Sequence, residues 1–591
     1  MPLAGTLLTI YVAGAWILWA GLSLVVAALD RLGLAGDRLV SAPVAWTLAG
    51  AILAHASLNE TARVIRELEP IKVPLRVGIA GTALWLLVRW LLRPARTSRR
   101  TRGTERAVAC VAIPAALAAI GLLMLRAPGS TPPVGAPPPG PRFEPEPAGS
   151  FQLGSDGRPR VLLLGLDGAS WDRIDRGIEA GSLPTFTKLV AGGLRAPLRS
   201  VVPSYSPRIW TSIVTGVGPE VHGIEDFYLL QLPRLGVERL SLRRAADWAE
   251  EVLDSLGELR RVPVTSTLRR QKAIWNLADE AGLRSGVLGL WATWPPERLT
   301  HGFVASDHAS LARRTEWLHR RKVSGLEDEI ATHPPELSDR LEGLQRSPDS
   351  VTRLELGQFM RVDDTVWREF ESAERFSKGV KLSAFRSTHL NDAFFLGAAH
   401  QLWEEEQPDL LVVYAKAIDE LSHFFYEAGV PEAPVLGWSA QEIRRYGRVV
   451  ERTYAWTDRQ IAPLVEAVDR DDNTLLIVVS DHGWARERDG GYNHNDGPPG
   501  ILLLYGKGVC RLDCPPLRDP SVYDITPTIL ERLRLPLSEE LVGRVLTEAF
   551  EDPNPVRRVA RYGRPLHTAT AVPSVIDAEL DEKLQALGYL D

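Results

Sequence analysis

The sequence predicts an α/β domain, a mainly parallel sheet sandwiched by helices, preceded by an α-helical transmembrane region. Three observations predict it. Apolar residues are in excess over the first 125 positions, a proline-dense segment follows, and short apolar runs then alternate with longer mixed segments. A chain of 591 residues is too long for one ordinary domain. Its composition, 45% hydrophobic and 24% charged, is that of a foldable globular protein. A net charge of -6 gives no basic patch, so binding to a nucleic-acid duplex is not expected.

The transmembrane region, 1–126, holds four apolar stretches, roughly Leu7–Ala28, Leu39–Leu58, Val73–Leu92 and Ala107–Leu125. Each approaches the ~20 residues needed to cross a bilayer as a helix. Arg76 and Arg89 interrupt the third near its ends, where long side chains reach the interface. The first is too long for a signal peptide and lacks the basic start and cleavage site. Arg93, Arg96, Arg99, Arg100, Arg102 and Arg106 make the following loop cytoplasmic. The fourth stretch then runs outward, so the rest of the chain is extracytoplasmic on a multi-pass protein of the cell membrane. Whether three or four helices span is open, and that placement holds either way. Residues 127–158 form a proline-rich linker, an extended spacer rather than helix or sheet.

The domain spans 159–591. Val161–Leu166, Leu410–Tyr414, Leu475–Val479 and Ile501–Tyr505 read as buried strands, and Leu183–Ala191 and Asp392–Glu406 as helices. Continuous apolar strands separated by helices imply a parallel sheet covered on both faces. Such sheets place their chemistry beyond the carboxyl ends of the strands. Asp167 directly follows the first strand, although an Asp-Gly there also makes an ordinary turn. Ser206 before Pro207 starts a helix, with Ser206 at the N-cap and Pro207 at N1. It is either a plain capping residue or a hydroxyl at an anion-binding helix end. Asp419 and His423 share one helix face, as two ligands of one metal or as a surface pair. Asp481 and His482 follow another strand and meet one metal if the chain turns sharply at Gly483; His494 comes shortly after. Together these are three carboxylates, three imidazoles and a hydroxyl, a donor set suited to zinc. Six ligands are about what two open sites need for in-line phosphoryl transfer.

These motifs resemble the alkaline phosphatase superfamily, and within it the type I phosphodiesterase/nucleotide pyrophosphatase branch. The likeness covers most of 160–550 and rests on LGLDG, a nucleophile nine residues before Thr215-Gly216, DELSH, SDHGW, His494 and VYDITPTIL at Val522–Leu530. It implies an alkaline phosphatase-like fold and two divalent metal ions, zinc being the expected identity. One metal would be held by Asp167, Ser206, Asp481 and His482, the other by Asp419, His423 and His494. Ser206 stands where that branch usually has threonine. Arg208 and Trp210 occupy positions where sulfatases need proline and arginine, so a sulfatase is not expected.

The function that follows is a membrane-anchored, metal-dependent phosphohydrolase. It cleaves phosphodiester or phosphomonoester bonds through a covalent phosphoserine on Ser206. Its expected partners are a phosphate ester substrate and the lipid bilayer. Two alternatives stand beside it: a phosphoryl-alcohol transferase acting on lipid or glycan, and a catalytically inactive membrane scaffold. Arg208 is a candidate phosphate-binding residue. An insert at about 225–400, carrying Trp275, Trp291, Trp294, His301, Asp307 and His308, should flank the site, with His308 a candidate pocket residue. Cys510 and Cys514 are close enough in sequence to pair in an oxidising compartment, or to remain two thiols in a loop.

Overall fold

The structure, a computed structural model, describes residues 141, 143, 159–232, 237–240, 260–310, 330–373, 380–487, 490–510, 514–565, 572, 574 and 577–587. The four apolar stretches expected to cross a membrane lie outside the described residues, as does most of the proline-rich linker. No helix among the described residues is long and apolar enough to span a bilayer. Within the linker, Phe143 forms an antiparallel bridge to Pro565, so that point of the expected spacer lies against the domain.

An eight-stranded mixed sheet organises the domain. Its strands are β1 (Arg160–Leu166), β2 (Leu194–Leu198), β3 (Ser285–Leu288), β4 (Phe303–Ala305), β5 (Thr332–His333), β6 (Leu410–Ala415), β7 (Thr474–Val479) and β8 (Gly500–Gly506). Their spatial order is β2-β8-β7-β1-β6-β3-β4-β5. The central run β7-β1-β6-β3-β4 is parallel. β8 is antiparallel to both β7 and β2, and β5 is antiparallel to β4. The segment expected as an insert is therefore not separate from the sheet, because β3, β4 and β5 all come from it.

Alternation along the strands splits their side chains between two apolar layers. Leu162, Leu164, Leu411, Val413, Leu476 and Val478 face one way. They pack with helices α1 (Trp171–Glu179), α2 (Pro184–Gly192), α4 (Phe385–Glu406) and α6 (Val449–Asp469). Val161, Leu163, Leu410, Val412, Leu475 and Ile477 face the other way, toward α3 (Ser206–Thr215) and α7 (Ile525–Arg532). Both faces being covered explains why these strands are apolar almost throughout, beyond Arg160 and Thr474 at their starts. Two further helices matter below: α5 (Ala417–Phe425) and α8 (Asp577–Leu587).

Register fixes where the chemistry falls. Gly165 pairs with Val479 on one side and Tyr414 on the other, and Leu166 pairs with Ala415. Three central strands thus end level, and the residues that follow them share one rim.

Candidate metal centre

Asp167 leaves β1 with its N–H donating to Ala415 O at 2.9 Å, which ties it to the end of β6. Gly168 adopts φ +67°, and a Cβ there would lie 2.8 Å from Asp419 Oδ1. A glycine is needed at this point for both the left-handed backbone and the close approach. Ser480 Oγ donates to Ala169 O at 2.6 Å and accepts from Ile501 N at 2.9 Å, lacing β7 to the loop after β1 and to β8. Gly168 N donates to Asp481 Oδ1 at 3.3 Å.

The expected turn at Gly483 needs no positive φ. Gly483 is glycine because a Cβ would sit 2.6 Å from Pro499 O. His494 is positioned by its own backbone: its carbonyl accepts from Ser204 Oγ and from Gly497 N. The loop before Ser206 and the loop carrying His494 are thereby joined. Trp484, from the SDHGW motif, packs edge-on against His423 and His494, at 4.9 and 5.3 Å between ring centroids.

All seven residues assigned to the two metals in the sequence lie close together and are buried, apart from His423, which is largely so. His482 Nε2 lies 3.4 Å from Asp481 Oδ2, 3.6 Å from Asp167 Oδ1 and 3.9 Å from Asp419 Oδ1. His423 Nε2 lies 3.4 Å from Asp419 Oδ2 and 3.2 Å from His494 Nε2. Two groups have donor atoms mutually within 4.8 Å: Asp167, Asp481 and His482, and Asp419, His482 and His494. His482 belongs to both, so it stands between the two expected sites. Ser206 lines the same cavity as Asp167 and Asp419.

One correction concerns Ser206. It is the first helical residue, not the N-cap; Tyr205 takes that place, and no side chain caps the helix. The Ser206 hydroxyl is therefore not spent on capping.

The electrostatics suit cations. Burial pushes the Asp481 carboxyl well above its ordinary range, with Asp167 and Asp419 adding to the push. Asp167 is raised by burial and then by Asp419. Burial works the same way on Asp419, but His423, His494 and His482 together outweigh it and hold that carboxyl low. His494 is driven well below its ordinary value by burial and then by His482. Asp167 Oδ1, Asp419 Oδ1, Asp481 Oδ2 and His482 Nε2 are buried without hydrogen-bond partners. Buried polar atoms are rarely left unpaired, and these four point at one another. Oxygen and imidazole donors in this arrangement fit divalent ions such as zinc.

Several residues given no role at the site from the sequence, Tyr414, Glu420, Lys416 and Lys583 among them, complete it. Asp167 Oδ2 accepts from the Tyr414 hydroxyl and from Trp210 Nε1, the latter at 3.2 Å. Tyr414 in turn accepts from Trp291 Nε1 at 2.7 Å. Gly165 makes room for this, since its Cβ would meet the Trp210 ring at 2.5 Å. Glu420 is buried beside Asp419. Burial would raise its pKa, but Lys416, at 3.2 Å, and Lys583 from α8 hold it at about 2. Lys416 directly follows a rim strand, a sequence signal that could have found it. The VYDITPTIL motif buttresses the helix that begins at Ser206: Thr526 Oγ1 donates to Ile213 O at 2.6 Å.

Arg208 and His308 are not among the residues lining the Ser206 cavity. Arg208 approaches Tyr523, easing a phenol that burial and Glu220 raise. His308 stacks on Trp294 at 4.7 Å. Cys510 and Cys514 form a disulfide with Cα atoms 5.8 Å apart.

A family model described as type I phosphodiesterase / nucleotide pyrophosphatase matches residues 161–536. Two curated relatives are 2,3-bisphosphoglycerate-independent phosphoglycerate mutases. The one from Cereibacter sphaeroides is 36% identical over 98 residues, 16% of this chain and 18% of the relative. The one from Cyanothece sp. is 36% identical over 103 residues, 16% and 19%. The chain thus spans less than a fifth of the length of these relatives. Among solved structures, phosphonoacetate hydrolase from Sinorhizobium meliloti 1021 in complex with phosphonoformate is 19% identical, with 56% of this chain and 59% of that chain covered and a TM-score of 0.33. A wild-type alkaline phosphatase is 13% identical, with 67% and 100% covered and a TM-score of 0.40.

Proposed function

This chain belongs to the type I phosphodiesterase / nucleotide pyrophosphatase family, and on that premise we propose that it is a metal-dependent phosphoesterase with Ser206 as its nucleophile. The observation that carries the reading is the gathering, at one rim of the sheet, of Ser206, three carboxylates and three imidazoles drawn from separate segments of the chain. Two divalent ions held by Asp167, Ser206, Asp481 and His482 and by Asp419, His423 and His494 would supply charge that makes a hydroxyl nucleophilic and offsets phosphoryl oxygens. Zinc is the proposed identity.

Ser206 Oγ attacks phosphorus, a P–O bond to serine forms, and the bond to the alcohol breaks. Water then attacks the phosphoserine and restores the hydroxyl. The first-turn amides of α3 have no intrahelical partners and face an anion favourably. Tyr414 and Trp210 hold Asp167 by one oxygen and leave the other toward the cavity.

A second reading, transfer of the phosphoryl group to an acceptor other than water, is favoured by the mutase name of the curated relatives. Membrane anchoring through residues 1–126, and with it contact with a lipid bilayer, also belongs to the proposal. Its support is the four apolar stretches and the arginine-rich loop. An extracytoplasmic site is supported by the Cys510–Cys514 disulfide, since such bonds persist in oxidising compartments.

The test is a panel of nitrophenyl monoesters and diesters and lipid phosphates, run on the full chain with zinc, manganese or chelator. Hydrolysis restored by metal, and lowered at least about 10³-fold in Ser206→Ala, is the expected result. Full turnover by Ser206→Ala would remove the scheme. Phosphate appearing on an added alcohol rather than in water would favour the transferase.

A further inference from the structure

The cavity at Ser206 is nearly full. Its acidic wall carries Asp167 and Asp419; its apolar wall carries Phe227, Trp291, Leu584 and Leu587. Between them there is room for about one water molecule. A phosphoryl group brings several oxygens, each the size of a water, so in this arrangement no phosphate ester reaches the hydroxyl. Lys583, Leu584 and Leu587 all belong to α8, which lies beyond residue 536, where the family match ends. The seven residues expected to hold metal all lie inside that match. Helix α8 is thus an addition that closes a site built without it.

Little holds α8 in place. Leu580 and Leu584 join a small apolar cluster with Phe227 and Tyr228, separate from the two layers of the main sheet. Lys583 pairs with Glu420, both partners being buried, and its ammonium lies 5.1 Å from the centre of the Trp291 ring. Breaking that ion pair does not orphan Glu420, which keeps Lys416 at 3.2 Å and the Thr388 hydroxyl at 2.5 Å. The ammonium of Lys583 passes into water as the helix leaves. A helix attached by so few contacts opens at low cost compared with global unfolding.

We propose that α8 is an autoinhibitory cap: latched by Lys583 to Glu420, it fills the space of the substrate phosphoryl group, and it swings away before a phosphate ester reaches Ser206. The cap rests on the phosphoesterase reading, which supplies the anion that has to enter.

The probe is inorganic phosphate on the full, zinc-supplied chain, read by hydrogen exchange of the α8 amides and by calorimetry. A site uncovered in about one molecule in ten binds about tenfold more weakly than the same site left open. Saturating phosphate should therefore speed exchange of α8 about tenfold, whereas a helix that merely lined the site would be protected by the ligand. Leu580→Ala loosens α8 without altering a residue that lines the cavity, and Lys583→Met removes the latch. Either variant should lower the Kd of phosphate and the KM for p-nitrophenyl phosphate about tenfold, with zinc content unchanged. If Leu580→Ala fails to fold, Lys583→Met and the wild-type exchange decide. Phosphate that binds while α8 exchange slows or stays constant overturns the cap and leaves the phosphoesterase standing, as does a Kd that fails to fall in the variants. Absence of both phosphate binding and ester hydrolysis in wild type and variants overturns both.

Discussion

Tyr414→Phe isolates the support given to Asp167. The substitution removes one oxygen and keeps the ring, so the edge-on packing against Trp210 at 5.1 Å is retained. Two hydrogen bonds are lost: Tyr414 to Asp167 Oδ2, and Trp291 Nε1 to Tyr414 at 2.7 Å. A bond to a charged acceptor contributes about 1.5–3 kcal/mol. Loss of an outer partner of a metal ligand weakens metal binding by about 10–100-fold, which is ~1.4–2.7 kcal/mol and so of the same size.

The sign with pH follows from the same bond. Asp167 is raised by burial and by Asp419, and the Tyr414 hydroxyl pulls it down. Without the hydroxyl the carboxyl rises further, and protons compete with the cation over a wider range. Tyr414 itself is pushed well above its ordinary value by burial and by Asp167, so it remains a donor throughout. Zinc titration of the chelator-stripped protein by calorimetry at pH 8 and pH 6 reads the effect. The Kd should rise about 10–100-fold at pH 8 and by more at pH 6, while kcat at saturating zinc stays within a few-fold of wild type. An unchanged Kd, or a deficit that shrinks at pH 6, refutes the reasoning.

Asp392 accepts from the N–H groups of Lys416 and Ala417, at 3.1 and 2.7 Å, at the start of the helix that carries Asp419 and His423. Its pKa is pushed up to about 6, chiefly by burial, so its contribution to stability is present below the ordinary carboxylate value and lost as pH rises through 6. Asp392→Asn should flatten that part of the stability curve between about pH 4 and 6 and cost ~1–2 kcal/mol, measured by urea unfolding; an unaltered pH slope counts against it. Gly168→Ala sets a side chain against Asp419 at φ +67° and should destabilise by ~1–3 kcal/mol and weaken zinc binding, seen as a lower Tm whose gain on adding zinc is reduced. Cys510→Ser/Cys514→Ser opens a bridge of sequence separation 4, so the loss in urea unfolding should be no more than ~2 kcal/mol.

The rim was legible because parallel strands buried on both faces are continuous apolar runs, and the donors stand right after them. Asp167, Asp419 and Asp481/His482 follow β1, β6 and β7 in this way. An apolar run carries no sign of direction, however. Ile501–Tyr505 looked like the others, yet β8 runs antiparallel between β7 and β2. Arg208 and His308 were suggested by their chemistry, and neither lines the Ser206 cavity; His308 stacks on Trp294. The apolar residues beside Ser206 were only partly legible, for a different reason. Trp291 lies in the segment expected to flank the site, but Phe227 and Lys583 come from distant segments, and nothing local to either announces that they share its cavity.

The acidic and apolar residues lining the Ser206 cavity also differ in what holds them. The acidic wall is fixed by strand register and by bonds laced between loops, through Ser480, Gly168 and Asp167. Displacing one of its carboxylates means disturbing the central sheet, which suits groups that must keep a fixed geometry around a cation. The apolar wall hangs on a small cluster and one ion pair contributed by a terminal helix. A few buried contacts imply a low cost of local opening compared with global unfolding. The fold thus separates a rigid centre suited to phosphoryl chemistry from an outer wall that changes without disturbing it. Substitutions in α8 should therefore lower hydrogen-exchange protection of that helix before they alter metal content.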